Sequence, residues 1–177
     1  PAVPESRSFD ADAPILLNDG GEEITVSVQE FLIGTAASEL PPDWPDDAVL
    51  AQMAAAHSYA LSLGGAAFTC NSAQCAGWTS AEVLRARWGG DFAAYYSRLA
   101  ALADVISGAV LCWDGSPAAA CYHSSSAGQT EASQNVWLTA VPYVQGVASP
   151  WDADAPGFET SVTYSAEQVY TILTGLG

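Results

Sequence analysis

At 177 residues the chain is long enough for one compact domain, and half of its residues are hydrophobic, enough to bury a core and offset its chain entropy. The charge is lopsided: 20 Asp and Glu stand against four Arg and no Lys, for a formal net charge of −16. That balance argues against a nucleic-acid or anionic-membrane partner, since both need a basic face, and no run of 18 or more apolar residues is present to span a bilayer.

The first 13 residues, rich in Pro, Ser and Asp, read as a flexible lead-in, and residues 14–177 read as one domain. The opening PAVPES shows no signal-peptide pattern and looks like a trimmed mature segment. Ile15 to Val26 holds two short β-prone runs around Asn18-Asp19-Gly20-Gly21, a hairpin by its turn chemistry. Ser27 with Glu30 makes a capping box, and Phe31, Leu32 and Thr35 follow at helical spacing. Pro41 and Pro42 stop that helix at or before Leu40, because proline disfavours helical backbone in the residue ahead of it. Glu39 therefore sits at its C-terminal end.

The next helix starts near Trp44-Pro45-Asp46-Asp47, with proline in the first turn and carboxylates at the positive end of the dipole. It runs through Leu63 to Gly64-Gly65, and Leu50, Met53, Ala54, His57 and Leu61 share one face, so His57 turns with the apolar stripe. Phe68 to Thr79, which holds Cys70 and Cys75, has no clear period and reads as a loop. Ser80 to Ile106 is helical with a break at Gly89-Gly90. From Ala109 the period falls to two: a strand to Trp113, a turn over Asp114-Gly115-Ser116-Pro117 and a return strand over Ala118 to Ser124. A polar loop to Gln134 and a mixed stretch from Val136 to Val147 come next, and Ser165 with Gln168 caps a last helix through Leu173. The pattern predicts an α+β fold, helices packed on a small, mostly antiparallel sheet with β-hairpins.

Three segments carry a family likeness. They are VSVQEFLIGTAASELPPDWPDDAVLAQMAAAHSYALSL from Val26 to Leu63, the loop from Cys70 to Cys75, and GAVLCWDGSPAAACYHSSSAGQTEASQNVWLTAVPYVQGVASPWD from Gly108 to Asp152. Together they resemble the stage II sporulation protein D / amidase-enhancer (SpoIID/LytB) domain, with Gly108 to Asp152 the most specific part for its Tyr-His-Ser-Ser-Ser-x-Gly-x-Thr-Glu run and the later Pro-Tyr and Ser-Pro-x-Asp. The resemblance implies an exported or cell-wall-associated protein that remodels peptidoglycan. Glu39 falls on the catalytic glutamate of the family's Ala-Glu-Met-Pro motif. His57 replaces the family's usual Arg, Gln74 stands where zinc-binding members carry His, and the family's downstream Gly-His-Gly-Val-Gly-Met-Ser-Gln segment is absent.

The implied activity is that of a lytic transglycosylase, which needs one carboxyl to protonate the glycosidic oxygen and then take the proton of the muramic acid 6-hydroxyl. The alternative is a non-catalytic wall-binding module that enhances an N-acetylmuramoyl-L-alanine amidase. Glycan strands, and a cell-wall amidase, are the partners implied. His57 is either a substrate contact or a core histidine. Tyr122, His123, Ser124, Ser125, Ser126 and Thr130 bring hydroxyl and imidazole groups to a strand end, where sugar-binding donors are expected. A serine hydrolase is disfavoured, since there is no Gly-x-Ser-x-Gly elbow and neighbouring strand residues face opposite ways. No cofactor or metal is expected: Cys70 and Cys75 offer two zinc ligands, short of the four of a structural site, so a Cys70–Cys75 disulfide is the expectation. Cys112 and Cys121, on the two hairpin arms though not directly opposite, form the second pair. If one bond is the target, Glu39, His57 and residues 122–126 should meet at one cleft.

Overall fold

In a computed structural model of the chain, which describes residues 9–70 and 77–175, the first hairpin forms as its turn chemistry dictates. Strand β1 (Ile15–Asp19) pairs antiparallel with β2 (Glu22–Val26), Ile15 opposite Val26 and Asp19 opposite Glu22. Gly20 and Gly21 hold φ of 62° and 99°, the positive angles that both central residues of a type I′ turn require. The other edge of β1 takes β3 (Phe68–Thr69) in parallel, Leu17 opposite Phe68, giving the order β2-β1-β3. This strand lies within the stretch read as a loop; two residues are too few to show a period.

Helix α1 (Val28–Glu39) starts at the capping box, with Ser27 Oγ accepting from the Glu30 N–H and the Glu30 carboxylate accepting from the Ser27 N–H. Residues 31–37 are all buried, so α1 is the central element rather than an amphipathic surface helix. It ends at Leu40, whose extended backbone (ψ 147°) suits the residue before Pro41. Helix α2 (Asp46–Ser62) packs on α1, and α4 (Phe92–Ile106) packs on both. The buried line of α2 runs through Val49, Met53, Ala56, His57 and Ala60, turned from the expected face, with Leu50, Ala54 and Leu61 only half-buried at its flanks. Contact with two helices, not one, sets that face, and the alanines at 56 and 60 permit close approach. Phe31 and Phe68 meet edge to face, centroids 5.0 Å apart, joining the sheet to α1.

Ser80 caps α3 (Ala81–Trp88), and the glycine break at 89–90 becomes a 3₁₀ turn leading into α4. The second hairpin is shorter than expected. The ladder joins β4 (Cys112–Trp113) and β5 (Ser116–Pro117) across a two-residue turn at Asp114 and Gly115 (φ 49° and 73°), which sets its register.

Two compact units divide between Tyr122 and His123 within the span read as one domain. In the second unit, Gln129 and Ala148 form an antiparallel bridge, flanked by hydrogen bonds from Thr130 N to Val147 O and from Ser149 N to Gly128 O. Helix α5 (Ser133–Trp137) is short, and α6 (Ala166–Thr174) starts at the expected Ser165–Gln168 capping box. Among the described residues no helix is long and apolar enough to cross a membrane.

One close approach locks the first unit. The Trp78 indole lies over Gly34 of α1, where an added Cβ would come within 2.3 Å of its Nε1 and 2.8 Å of the Thr79 carbonyl. Gly34→Ala should therefore lower the unfolding free energy by about 1–3 kcal/mol, whereas Gly90→Ala, with open space around it, should change it little. Urea denaturation of the two variants checks this.

Candidate functional site

Glu39 occupies the last position of α1 and is half-buried. Its Oε1 accepts a 2.7 Å hydrogen bond from the Gly77 backbone N–H, so one carboxylate oxygen is fixed by the segment that follows the cysteine loop. That segment is itself tied to α1. The Thr79 N–H donates to the Gly34 carbonyl, Ser38 Oγ and Thr79 Oγ1 share a 2.7 Å hydrogen bond, and Trp78 Nε1 donates to the Glu30 carbonyl. A Cβ at position 77 would stand 3.1 Å from the Ser38 Cβ and 3.4 Å from Glu39 Oε1, so glycine there lets the backbone reach the carboxylate. Glu39 Oε2 has no hydrogen-bond partner among the described residues.

The chain beyond Glu39 is held as firmly. Arg87 Nη1 donates to the Ala37 carbonyl in the last turn of α1. Arg98, from α4, donates to the Pro42 carbonyl, to the Trp44 carbonyl at 2.6 Å, and pairs with the Asp46 carboxylate at the start of α2. One guanidinium thus spans the whole connection from α1 to α2, a use for its planar fork that an ammonium could not match. None of Gly77, Arg87 or Arg98 stood out in the sequence.

His57 is fully buried at 0% exposure, and neither ring nitrogen has a hydrogen-bond partner of normal geometry among the described residues. Burial pushes its pKa below the usual histidine value, while the backbone at Ala11 and Ala109 and the charge of Asp12 pull the other way. Of the two readings of His57, its position is that of a core histidine. It offers no surface on which a sugar could rest.

Tyr122 ends the first unit and is exposed, whereas His123, Ser124, Ser125, Ser126 and Thr130 lie in the second. There the Asp152 carboxylate accepts from both the N–H and the hydroxyl of Ser126, contacts that hold its pKa below the ordinary value, with a smaller contribution from His123. Thr130 Oγ1 accepts from the Val147 N–H at 2.9 Å. The Ser126 and Thr130 hydroxyls are therefore engaged in shaping the loop, while the His123 and Ser124 side chains face solvent. Asp152 belongs to the Ser-Pro-x-Asp run, a signal from which its role could have been read.

Cys112 stands opposite Pro117, and its thiol donates to the Val110 carbonyl. The ladder ends four residues before Cys121, so the hairpin register does not bring the two together, and no disulfide joins any two of Cys70, Cys112 and Cys121. Gln74 and Cys75 lie outside the described residues. Among the described residues no three of His, Cys, Asp and Glu gather closely enough to hold a metal ion.

The first unit is thus an α+β domain whose central helix delivers one carboxylate to a backbone N–H at its end. Residues 21–112, just over half of the chain, match the family described as Stage II sporulation protein (SpoIID), and the chain belongs to that family. It is 26% identical over 94% of its length to stage II sporulation protein D of Bacillus amyloliquefaciens, and 28% identical over 81% to that of Bacillus subtilis. It is also 30% identical, over 79% of its length, to the amidase enhancer of Bacillus subtilis. The chain spans 51% and 44% of the two sporulation proteins and 18% of the amidase enhancer.

The buried His57 gives a pH signature. Its folded pKa is depressed, so the unfolded chain binds the extra proton, and the stability His57 allows is present above the unfolded value of about 6.5 and lost as pH falls from there through the folded pKa. His57→Leu should flatten the fall of Tm on acidification from about pH 8 to 5 relative to the parent. Thermal melts across that series measure it; parallel curves for the two proteins would contradict the expectation.

Proposed function

We infer that this chain acts on peptidoglycan, as a lytic transglycosylase of glycan strands in which Glu39 cycles one proton. The observation that carries the reading is the carboxylate at the end of α1, oriented through Oε1 by the Gly77 N–H while Oε2 has no hydrogen-bond partner among the described residues. It occupies the Ala-Ser-Glu-Leu-Pro run that resembles the catalytic motif of the family. The protonated carboxyl gives its proton to the glycosidic oxygen as the bond to C1 breaks, and the muramic acid 6-hydroxyl attacks C1. Its proton passes to the same carboxyl, so an anhydro ring forms, no water is consumed and the acid is restored. The reading brings with it an exported, cell-wall-associated location.

The relative named amidase enhancer supports a second reading, a helper that binds wall glycan and raises amidase activity without cleaving it. Product analysis separates the two. Purified glycan strands incubated with the protein should yield anhydro-muramyl ends by mass spectrometry. Glu39→Gln should lower their formation by at least about 10²-fold with Tm nearly unchanged, because the amide oxygen can still accept from Gly77 but cannot cycle a proton. Undiminished turnover in that variant would remove Glu39 from the reaction. No anhydro ends from the parent, together with stimulation of an added amidase, would establish the helper role instead.

A further inference from the structure

We propose that Trp44 is a sugar-stacking residue that grips the glycan beside Glu39 through the uncharged face of a pyranose ring. The proposal rests on the glycan reading above and deepens it by naming how the strand is held. Trp44 is 47% exposed although it is among the largest apolar side chains in the protein. An exposed indole on a mobile loop would be unremarkable, but this one sits on a fixed loop. The Trp44 N–H donates to the Pro41 carbonyl at 3.2 Å, closing a turn, and its own carbonyl accepts from Arg98. Rigid presentation of an aromatic face lowers the ordering cost of binding.

The position is also right. A four-residue turn keeps its end Cα atoms within about 7 Å, and two peptide units separate Glu39 from Pro41, so the Glu39 and Trp44 Cα atoms lie within about 15 Å of each other. A stretch of about three pyranose rings covers that distance. Charge points the same way. Of the four Arg, the three described are committed: Arg85 lies 4.1 Å from the centroid of the Phe92 ring, Arg87 caps α1 and Arg98 clamps the loop. With no Lys in the chain, no uncommitted cationic side chain of Arg or Lys is left among the described residues to hold the glycan by its carboxylates, which leaves hydroxyl and aromatic contacts. The ring C–H groups of a pyranose form an apolar face suited to the electron-rich face of indole.

The test is isothermal titration of purified, peptide-free glycan strands into the full chain in a Glu39→Gln background, which prevents turnover. Adding Trp44→Ala should weaken binding by about tenfold, Trp44→Phe should stay within about threefold of the parent, and Tm should hold in both. Equal binding by the Ala variant would overturn the proposal while leaving the glycan reading intact. So would a Trp44→Leu variant that binds as well as Trp44→Phe, since apolar bulk and not an aromatic face would then suffice. A Glu39→Gln parent that binds no glycan at all would overturn the glycan reading and the Trp44 proposal together.

Discussion

The absence of a side chain at position 34 is the constraint from which the first unit follows. Because Gly34 leaves the surface of α1 open, the Trp78 indole settles directly on the helix, and residues 77–79 are drawn into hydrogen bonds along its C-terminal half. The Gly77 N–H then arrives at Glu39 as the last member of a series of backbone and hydroxyl contacts. A carboxylate at a helix end is ordinarily free to sample rotamers in water. Here packing five residues back along α1 fixes where its oxygen points, so the stability of the domain and the geometry of that carboxylate come from the same contact.

Arg98 performs a comparable service on the other side of Glu39. The connection from α1 to α2 is short, proline-rich and without regular structure, so its carbonyls have no helical partners of their own. A single guanidinium satisfies two of them and neutralises Asp46 at the same time. In the second unit the same logic runs with reversed charge, Asp152 gathering the N–H and hydroxyl of Ser126. In each case one charged group sets the path of an irregular segment that would otherwise lack a defined shape.

What was legible in the sequence is what depends on neighbours along the chain. The glycine pair at 20–21, both capping boxes, the proline stop after Leu40 and the break at 89–90 are governed by residues within a few positions of one another, and each formed as expected. The α+β class followed from those elements. Contacts that define the site span much longer stretches: 38 residues from Glu39 to Gly77, 54 from Trp44 to Arg98, 26 from Ser126 to Asp152. No local pattern encodes such pairs. The buried face of α2 was misjudged for a related reason, since helical periodicity gives the width of an apolar stripe but not the number of helices that cover it, and His57 passed from a possible contact to the centre of the core. The second hairpin differs in its turn, where Asp114 and Gly115 need no help from the two residues after them, and in its return strand, of which only Ser116 and Pro117 pair.

The hydrogen bond from Gly77 has a consequence for direction. A carboxyl with two equivalent oxygens could meet a polymer from either side, but Oε1 accepts from the Gly77 N–H, and Oε2, with no partner among the described residues, is the freer of the two to carry a transferable proton. Under the proposed reaction the oxygen to be protonated must approach from that one side, and the sugar bearing the attacking hydroxyl must lie on the far side of the same bond. Glycan strands have a reducing and a non-reducing end, so a fixed proton-bearing oxygen imposes a single polarity on a bound strand. Gly77, which bears no functional group, would then decide which way round the polymer is read.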